Sequence, residues 1–243
     1  MIGSRENYRD GSGVYEVRLT ELIPDSQAPI HGLYIKQFTE GRFRPYLEAC
    51  DGGSTRAMEL YDWNVRISAS LWELLTYLEV ALRNRIDERL QLASLTTDHW
   101  TSNLEQLGLA KDERLKAELR KARERIKRNG KALTAGQTVS ELPFGFWVAI
   151  LSRRSRKLWP ELATGFRGMP TRKPDELHRL VVVMHGLRNR IGHHHRVWNL
   201  DIAAIHADLL KLASFIDIEF GDWLSEKSQI PQRLVEFEVI RNT

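Results

Sequence analysis

The chain holds a single cysteine, Cys50, so it can form no intrachain disulfide and no cysteine-ligated zinc or iron–sulfur centre. No apolar run approaches the ~18 residues that a membrane helix needs, and the first ten residues, MIGSRENYRD, are polar rather than an apolar signal segment. These absences lead us to expect a protein of a reducing compartment, cytoplasmic and without a membrane partner. Carboxylate pairs for glycosidase chemistry, a phosphate-cradling glycine loop and a nucleophile elbow are also missing, which removes the common enzyme classes built on them. Nothing repeats at solenoid spacing.

What the chain does contain is charge, unevenly placed. Of 243 residues, 42% are hydrophobic and 28% charged, enough for a substantial core. The net +4 hides two basic segments: ten Lys/Arg against four Asp/Glu over 111–131, and seven against one over 153–173, each +6. The remainder is therefore acidic. Such asymmetry points to a polyanionic partner, because every cation that neutralises a phosphate releases counterions. Lys116, Arg120, Arg123 and Lys127 in the first segment, and Arg153, Arg154, Arg156 and Lys157 in the second, are the candidates to track the backbone of such a partner. The plainer reading stands beside it: Leu115, Leu119, Ala122 and Ile126 make one apolar stripe, so the first segment is an amphipathic helix whose cations also serve as its wet face.

Helical periodicity dominates. A long helix is predicted from Asn64 to Ala93, with Leu71, Leu74, Leu75, Leu78, Leu82 and Ile86 on one side. Thr97 or Asp98 would cap a shorter one, and Asn129-Gly130 would stop the basic helix. Thr138-Val139-Ser140-Glu141 reads as a capping box opening a helix over Phe144–Leu151. A Pro- and Gly-containing loop over 160–174 precedes two long helices, over 175–193 and 202–227. At the two ends, Tyr15, Val17 and Leu19, and again Val235, Phe237 and Val239, alternate with polar residues at the period of half-buried strands. The expected fold is mainly α, an antiparallel helical bundle with a small strand appendage from the chain ends. Its parts are an N-terminal extension over 1–59 with short strands and a helix, a helical domain over 60–228 carrying a basic insertion over 98–173, and a C-terminal strand over 229–243.

The chemistry concentrates at 187–199, LRNRIGHHHRVWN. On a helical projection His178, His185, Arg188, Asn189 and His193 share one side while Leu180, Met184, Leu187 and Ile191 share the other. A polar front inside a bundle needs partners, and Glu79 on the long helix, with Arg83 one turn on and Asn84 beside it, can supply them. An imidazole moves protons near neutral pH and a guanidinium holds a phosphate by two parallel bonds. Together they suit cleavage of RNA by its own 2′-OH, with no metal or cofactor. Arg followed by Asn and, five places after the Arg, by His is expected by chance only about 0.03 times in this composition, which favours Arg188, Asn189 and His193 as the catalytic set. Three successive histidines, His193 to His195, diverge by 100° each on a helix and do not share one ion. Trp63, Trp72, Trp147 and Trp198 read as core or helix-end anchors, and Cys50 as a small buried hydrophobe.

At these residues the sequence resembles the Abi-like (abortive infection) family, a branch of the HEPN domains. The resemblance rests on Arg188-Asn189 to His193-His194 with Trp198-Asn199, and upstream on Leu60-Tyr61-Asp62-Trp63-Asn64 and Leu78-Glu79-Val80-Ala81-Leu82-Arg83-Asn84. It implies a HEPN-type helical bundle, a metal-independent endoribonuclease of toxin or phage-defence type, and homodimers that bring two such helices to one cleft. Arg188 and His193 would be catalytic with Asn189 as polar support; Glu79, Arg83, Asn84, His185, His194, Trp198 and Asn199 would form the surrounding network. An antitoxin, protein or RNA, is an expected partner. One subgroup carries a Tyr two places after the motif His; His195 stands there instead, which argues against regulation by nucleotidylation. The rival expectation is a non-catalytic RNA-binding or regulatory HEPN module.

Overall fold

In a computed structural model, residues 28–242 are described, and they are mainly helical. The chain divides into two compact units, before and after the boundary between Tyr61 and Asp62. In the first, α1 (Ala28–Phe38) and α2 (Glu40–Ala49) meet at Thr39, whose φ of 67° turns the chain. Its core is aromatic: Tyr34, Phe38, Phe43, Tyr46 and Tyr61 pack with ring centroids 5.0–6.3 Å apart. Cys50 is buried there as expected, and burial pushes its thiol pKa up. The predicted strand at Tyr15–Leu19 lies outside the described residues.

The second unit is organised around α3 (Ser54–Ser94), which begins in the first unit and is longer than the periodicity alone predicts. Trp63, Ile67, Leu71, Leu74, Leu75, Leu78, Leu82, Ile86 and Leu90 are all at most 1% exposed, the repeat of one helical face. After a short 3₁₀ turn at Trp100–Ser102, capped by His99 rather than by Thr97 or Asp98, come α4 (Glu113–Arg128), α5 (Ala135–Glu141), α6 (Phe144–Ile150) and α7 (Trp159–Ala163). Helices α8 (Pro174–Gly192), α9 (Ile202–Ile216), α10 (Ile218–Lys227) and α11 (Ile230–Asn242) complete it. Helix α4 buries the predicted Leu115, Leu119, Ala122 and Ile126, is capped by Asp112, and ends at Gly130, whose φ of 65° only glycine adopts without cost.

Four further expectations are corrected. The Thr138–Glu141 sequence does not open a helix: Thr134 caps α5 by accepting from Gln137 N, Glu141 ends α5, and α6 starts after Pro143 in extended backbone. The predicted 160–174 loop begins with a helical turn, α7, because Pro160 suits a first-turn position. The helix expected over 202–227 breaks at Asp217, whose carboxylate accepts from Phe220 N and so caps α10. The tight α9–α10 corner then needs small residues: a Cβ on Gly168 would stand 1.8 Å from Ser214 O, and one on Gly221 would stand 2.2 Å from Ser214 Oγ.

The fourth correction concerns the C-terminal strand, which is instead α11. Trp63 stacks on Phe237 at 4.4 Å and donates its indole N–H to Arg233 O at 2.6 Å, while Arg66 pairs with Glu236 at 3.7 Å. Arg233, Glu236 and Phe237 are three and four apart, a helical face and not a strand face. The alternation of Val235, Phe237 and Val239 was compatible with either structure, and docking on α3 decides for the helix. No strand occurs among the described residues.

Candidate functional site

The C-terminal end of α8 is fixed before any chemistry is placed on it. His194 N donates to Ile191 O and His195 N to Arg190 O, both at 2.8 Å, with His194 at φ 55°. This is the Schellman closure, but the left-handed position that glycine usually fills is occupied by His194. Arg190 braces the segment that follows, donating from Nε to Arg196 O at 2.6 Å and from Nη2 to Asn199 Oδ1 at 3.3 Å. From α3, the buried Asn64 accepts two backbone N–H groups through Oδ1, Val197 at 2.7 Å and Trp198 at 3.1 Å. The two sequence segments of interest therefore meet, and α8 runs antiparallel to α3: Asn64 lies level with Val197 and Glu79 level with Arg188.

On the front of α8, Arg188 Nε stands 3.6 Å from Glu79 Oε2, and its guanidinium lies over the Trp72 ring at 5.6 Å. The Arg188 side chain is 39% exposed, so the group is held from behind yet reaches solvent. Asn189 Nδ2 lies 3.1 Å from His185 Nε2, and Phe144 packs against the His185 ring at 5.6 Å. Burial, then the charge of Arg188, lowers the His185 pKa; Glu79 opposes this and Arg114 reinforces it. His185 is therefore a neutral hydrogen-bonding group, not a cation.

His193 occupies the C-cap of α8 and is exposed; its ring is 6.0 Å from that of His195, and its side chain makes no hydrogen bond or ion pair among the described residues. Arg188, Asn189, His185 and Glu79 are thus brought together, while His193, His194, Trp198 and Asn199 lie on the braced segment beyond. Arg83 is half-buried on the Glu79 side of α3 with its Nε lacking a hydrogen bond, and Asn84 is exposed without a side-chain bond among the described residues. Sequence reasoning missed two participants. Trp72, read as a core anchor, is 39% exposed and faces Arg188. Asn64 enters the sequence reading as a helix start and in the resemblance, and neither reveals that it pins a loop 133 residues away. Trp63 and Trp147 are buried, as expected.

The basic segments differ in how free their cations are. Arg153 and Arg156 share Asp175, at 3.7 and 2.6 Å, whereas Arg154 and Lys157 are exposed without an ion pair among the described residues. On α4, Lys116 pairs with Glu113 at 2.9 Å and Arg123 donates to Thr101 O at 2.6 Å, while Arg120 and Lys127 have no partner among the described residues. No group of three His, Cys, Asp or Glu side chains among the described residues is placed to hold a metal ion, and no described helix is long and apolar enough to cross a membrane.

A family model described as Abi-like protein matches residues 32–199, about two thirds of the chain. No curated protein and no solved structure matches it.

Proposed function

The chain belongs to the Abi-like protein family, and from that premise we propose that it is a metal-independent endoribonuclease of the phage-defence type, acting in the cytoplasm as a homodimer. The observation that carries the reading is that Arg188, held against Glu79 and Trp72, reaches solvent, and that His193, five residues on at the end of α8, is exposed with no hydrogen bond or ion pair among the described residues. In the proposed reaction His193 takes the proton of a ribose 2′-OH, and that oxygen attacks the adjacent phosphorus. The P–O5′ bond breaks, leaving a 2′,3′-cyclic phosphate and a 5′-OH. His193 of the second copy, in its imidazolium form, protonates the departing oxygen and becomes neutral, which gives the homodimer and its shared HEPN-type cleft a chemical purpose. Arg188 holds the charge that grows on the phosphoryl oxygens, Glu79 and Trp72 set its position, Asn189 is the polar support beside it through His185, and an antitoxin keeps the activity silent.

RNA incubated with the protein in EDTA tests this reading: fragments ending in 2′,3′-cyclic phosphate are expected, and their loss in His193→Ala with an unchanged melting temperature. Intact RNA at micromolar protein would overturn it. A non-catalytic RNA-binding module is the second reading, favoured by the His185–Asn189 bond, which ties up two polar groups of the same front. It predicts RNA bound tightly by the wild type and left whole.

A further inference from the structure

Away from the α8 front, the turn at Trp100–Ser102 and the residues after it stand off from α4 and leave an open groove of about 320 Å³, within the size range of small-ligand sites. We propose that this groove binds one phosphate-bearing nucleotide unit of a single-stranded RNA. Lys116, Arg120 and Arg123 lie four and three residues apart, so one side of α4 presents three cations along about 10 Å of its axis. Arg123 is locked to the opposite wall by its bond to Thr101 O, which fixes the width of the groove while leaving other N–H groups of the guanidinium to donate. Lys116 is steadied by Glu113, and Arg120, exposed and without a partner among the described residues, is the cation free to take a phosphate.

Beneath the cations, Leu104 and Leu119 are buried, so the lining that solvent reaches is mostly polar, with Ser102 and Asn103 on the wall facing α4. Asn103 uses its Oδ1 to accept from Glu105 N, so its carboxamide N–H₂ remains to donate. Glu105 is the one carboxylate lining the groove, against three cations, which disfavours a metal ion or a cationic ligand. Three cations beside free amide and hydroxyl groups match a ligand with an anionic edge and a hydrogen-bonding body, which is the chemistry of a phosphate and its base. That the nucleotide belongs to an RNA strand rests on the nuclease reading; that the groove takes a nucleotide does not.

The test compares the full-length chain with Lys116→Gln/Arg120→Gln and with Arg120→Gln alone, both made at solvent-reaching positions. Binding of a fluorescein-labelled 12-nucleotide RNA is followed by anisotropy across salt, and binding of adenosine monophosphate by calorimetry. Each variant is expected to flatten the log–log salt dependence by about 0.7, the one phosphate contact that the groove makes on a single strand, with the double variant the weaker binder. Adenosine monophosphate should weaken in parallel. An unchanged slope and unchanged nucleotide affinity in both variants would overturn the inference, even if the protein cleaves RNA and the nuclease reading stands. Nucleotide binding that weakens in the variants, with no RNA bound or cut by the wild type, would leave the groove as a site for free nucleotide and overturn its assignment to RNA together with the nuclease reading.

Discussion

Asn189 Nδ2 lies 3.1 Å from His185 Nε2, one turn earlier on α8. A carboxamide N–H₂ donates, so the ring nitrogen accepts and the imidazole proton is assigned to Nδ1. Protonating Nε2 would break this bond and set a second positive charge against Arg188. The front of α8 thus carries a neutral imidazole beside the guanidinium, and the proton traffic of the proposed reaction falls to His193 at the helix end.

This arrangement makes stability depend on pH. Burial lowers the folded-state pKa of both His185 and His206, the latter bonded to Ser228 Oγ at 2.9 Å. As pH falls through about 6.5 the unfolded chain takes up protons at these rings and the folded chain does not. Their contribution is therefore complete above that pH and is lost progressively below it, until the lower folded values are passed. The melting temperature should fall from pH 7 to pH 5, and His185→Gln and His206→Gln should each make that fall shallower. A parallel decline in all three proteins would contradict the assignment.

Glu79 should matter to cleavage more than to folding. Its contact with Arg188 is 3.6 Å between partly exposed side chains, so the pair contributes at most ~1 kcal/mol to stability. As a positioning residue it acts through where the guanidinium sits, and misplacement on the ångström scale costs up to ~100-fold in rate. Glu79→Gln and Trp72→Ala are each expected to lower kcat about 10- to 100-fold with KM little changed. Steady-state kinetics on a short oligoribonucleotide separates the two constants, and a rise in KM alone would assign the pair to substrate binding.

How far the sequence led depends on which forces chose each element. The stripes of α3 and α4 could be read directly because one helical face is buried along each, and the Gly130 stop because its backbone angle is a local demand. The break at Asp217 and the helicity of 230–242 could not. Asp217 is an ordinary residue of an apolar period until its carboxylate turns back to cap α10, and α11 depends on Trp63 presenting a ring and a donor to Phe237 and Arg233. At the candidate site, Arg188, Asn189 and His193 were visible as a spacing. Asn64 and Trp72 were not visible as partners, because both roles follow from the register of α3 against α8, which no single segment encodes.

Asn64 offers the sharpest stability test. Its Oδ1 satisfies the N–H groups of Val197 and Trp198, with Val197 fully buried. Asn64→Ala strands both donors, at about 1–3 kcal/mol for each buried one, so a loss of about 2–4 kcal/mol is expected. Asn64→Asp keeps the acceptor and should cost less. Urea denaturation gives the stabilities, and faster hydrogen exchange at Val197 and Trp198 amides would localise the damage to the segment after His193.

His194 sits at φ 55° in the closure of α8, a conformation that costs an L-residue roughly 1–2 kcal/mol and glycine almost nothing. Comparing His194→Gly with His194→Val removes the imidazole from both proteins and leaves the backbone as the main difference. The glycine variant should be the more stable by about 1–2 kcal/mol, because valine's branched Cβ resists positive φ. Since the 6→1 bond from His195 N to Arg190 O depends on that turn, the valine variant should also displace His193 and lose cleavage, whereas the glycine variant keeps it. Equal stabilities and equal rates would mean that the helix end does not set the position of His193.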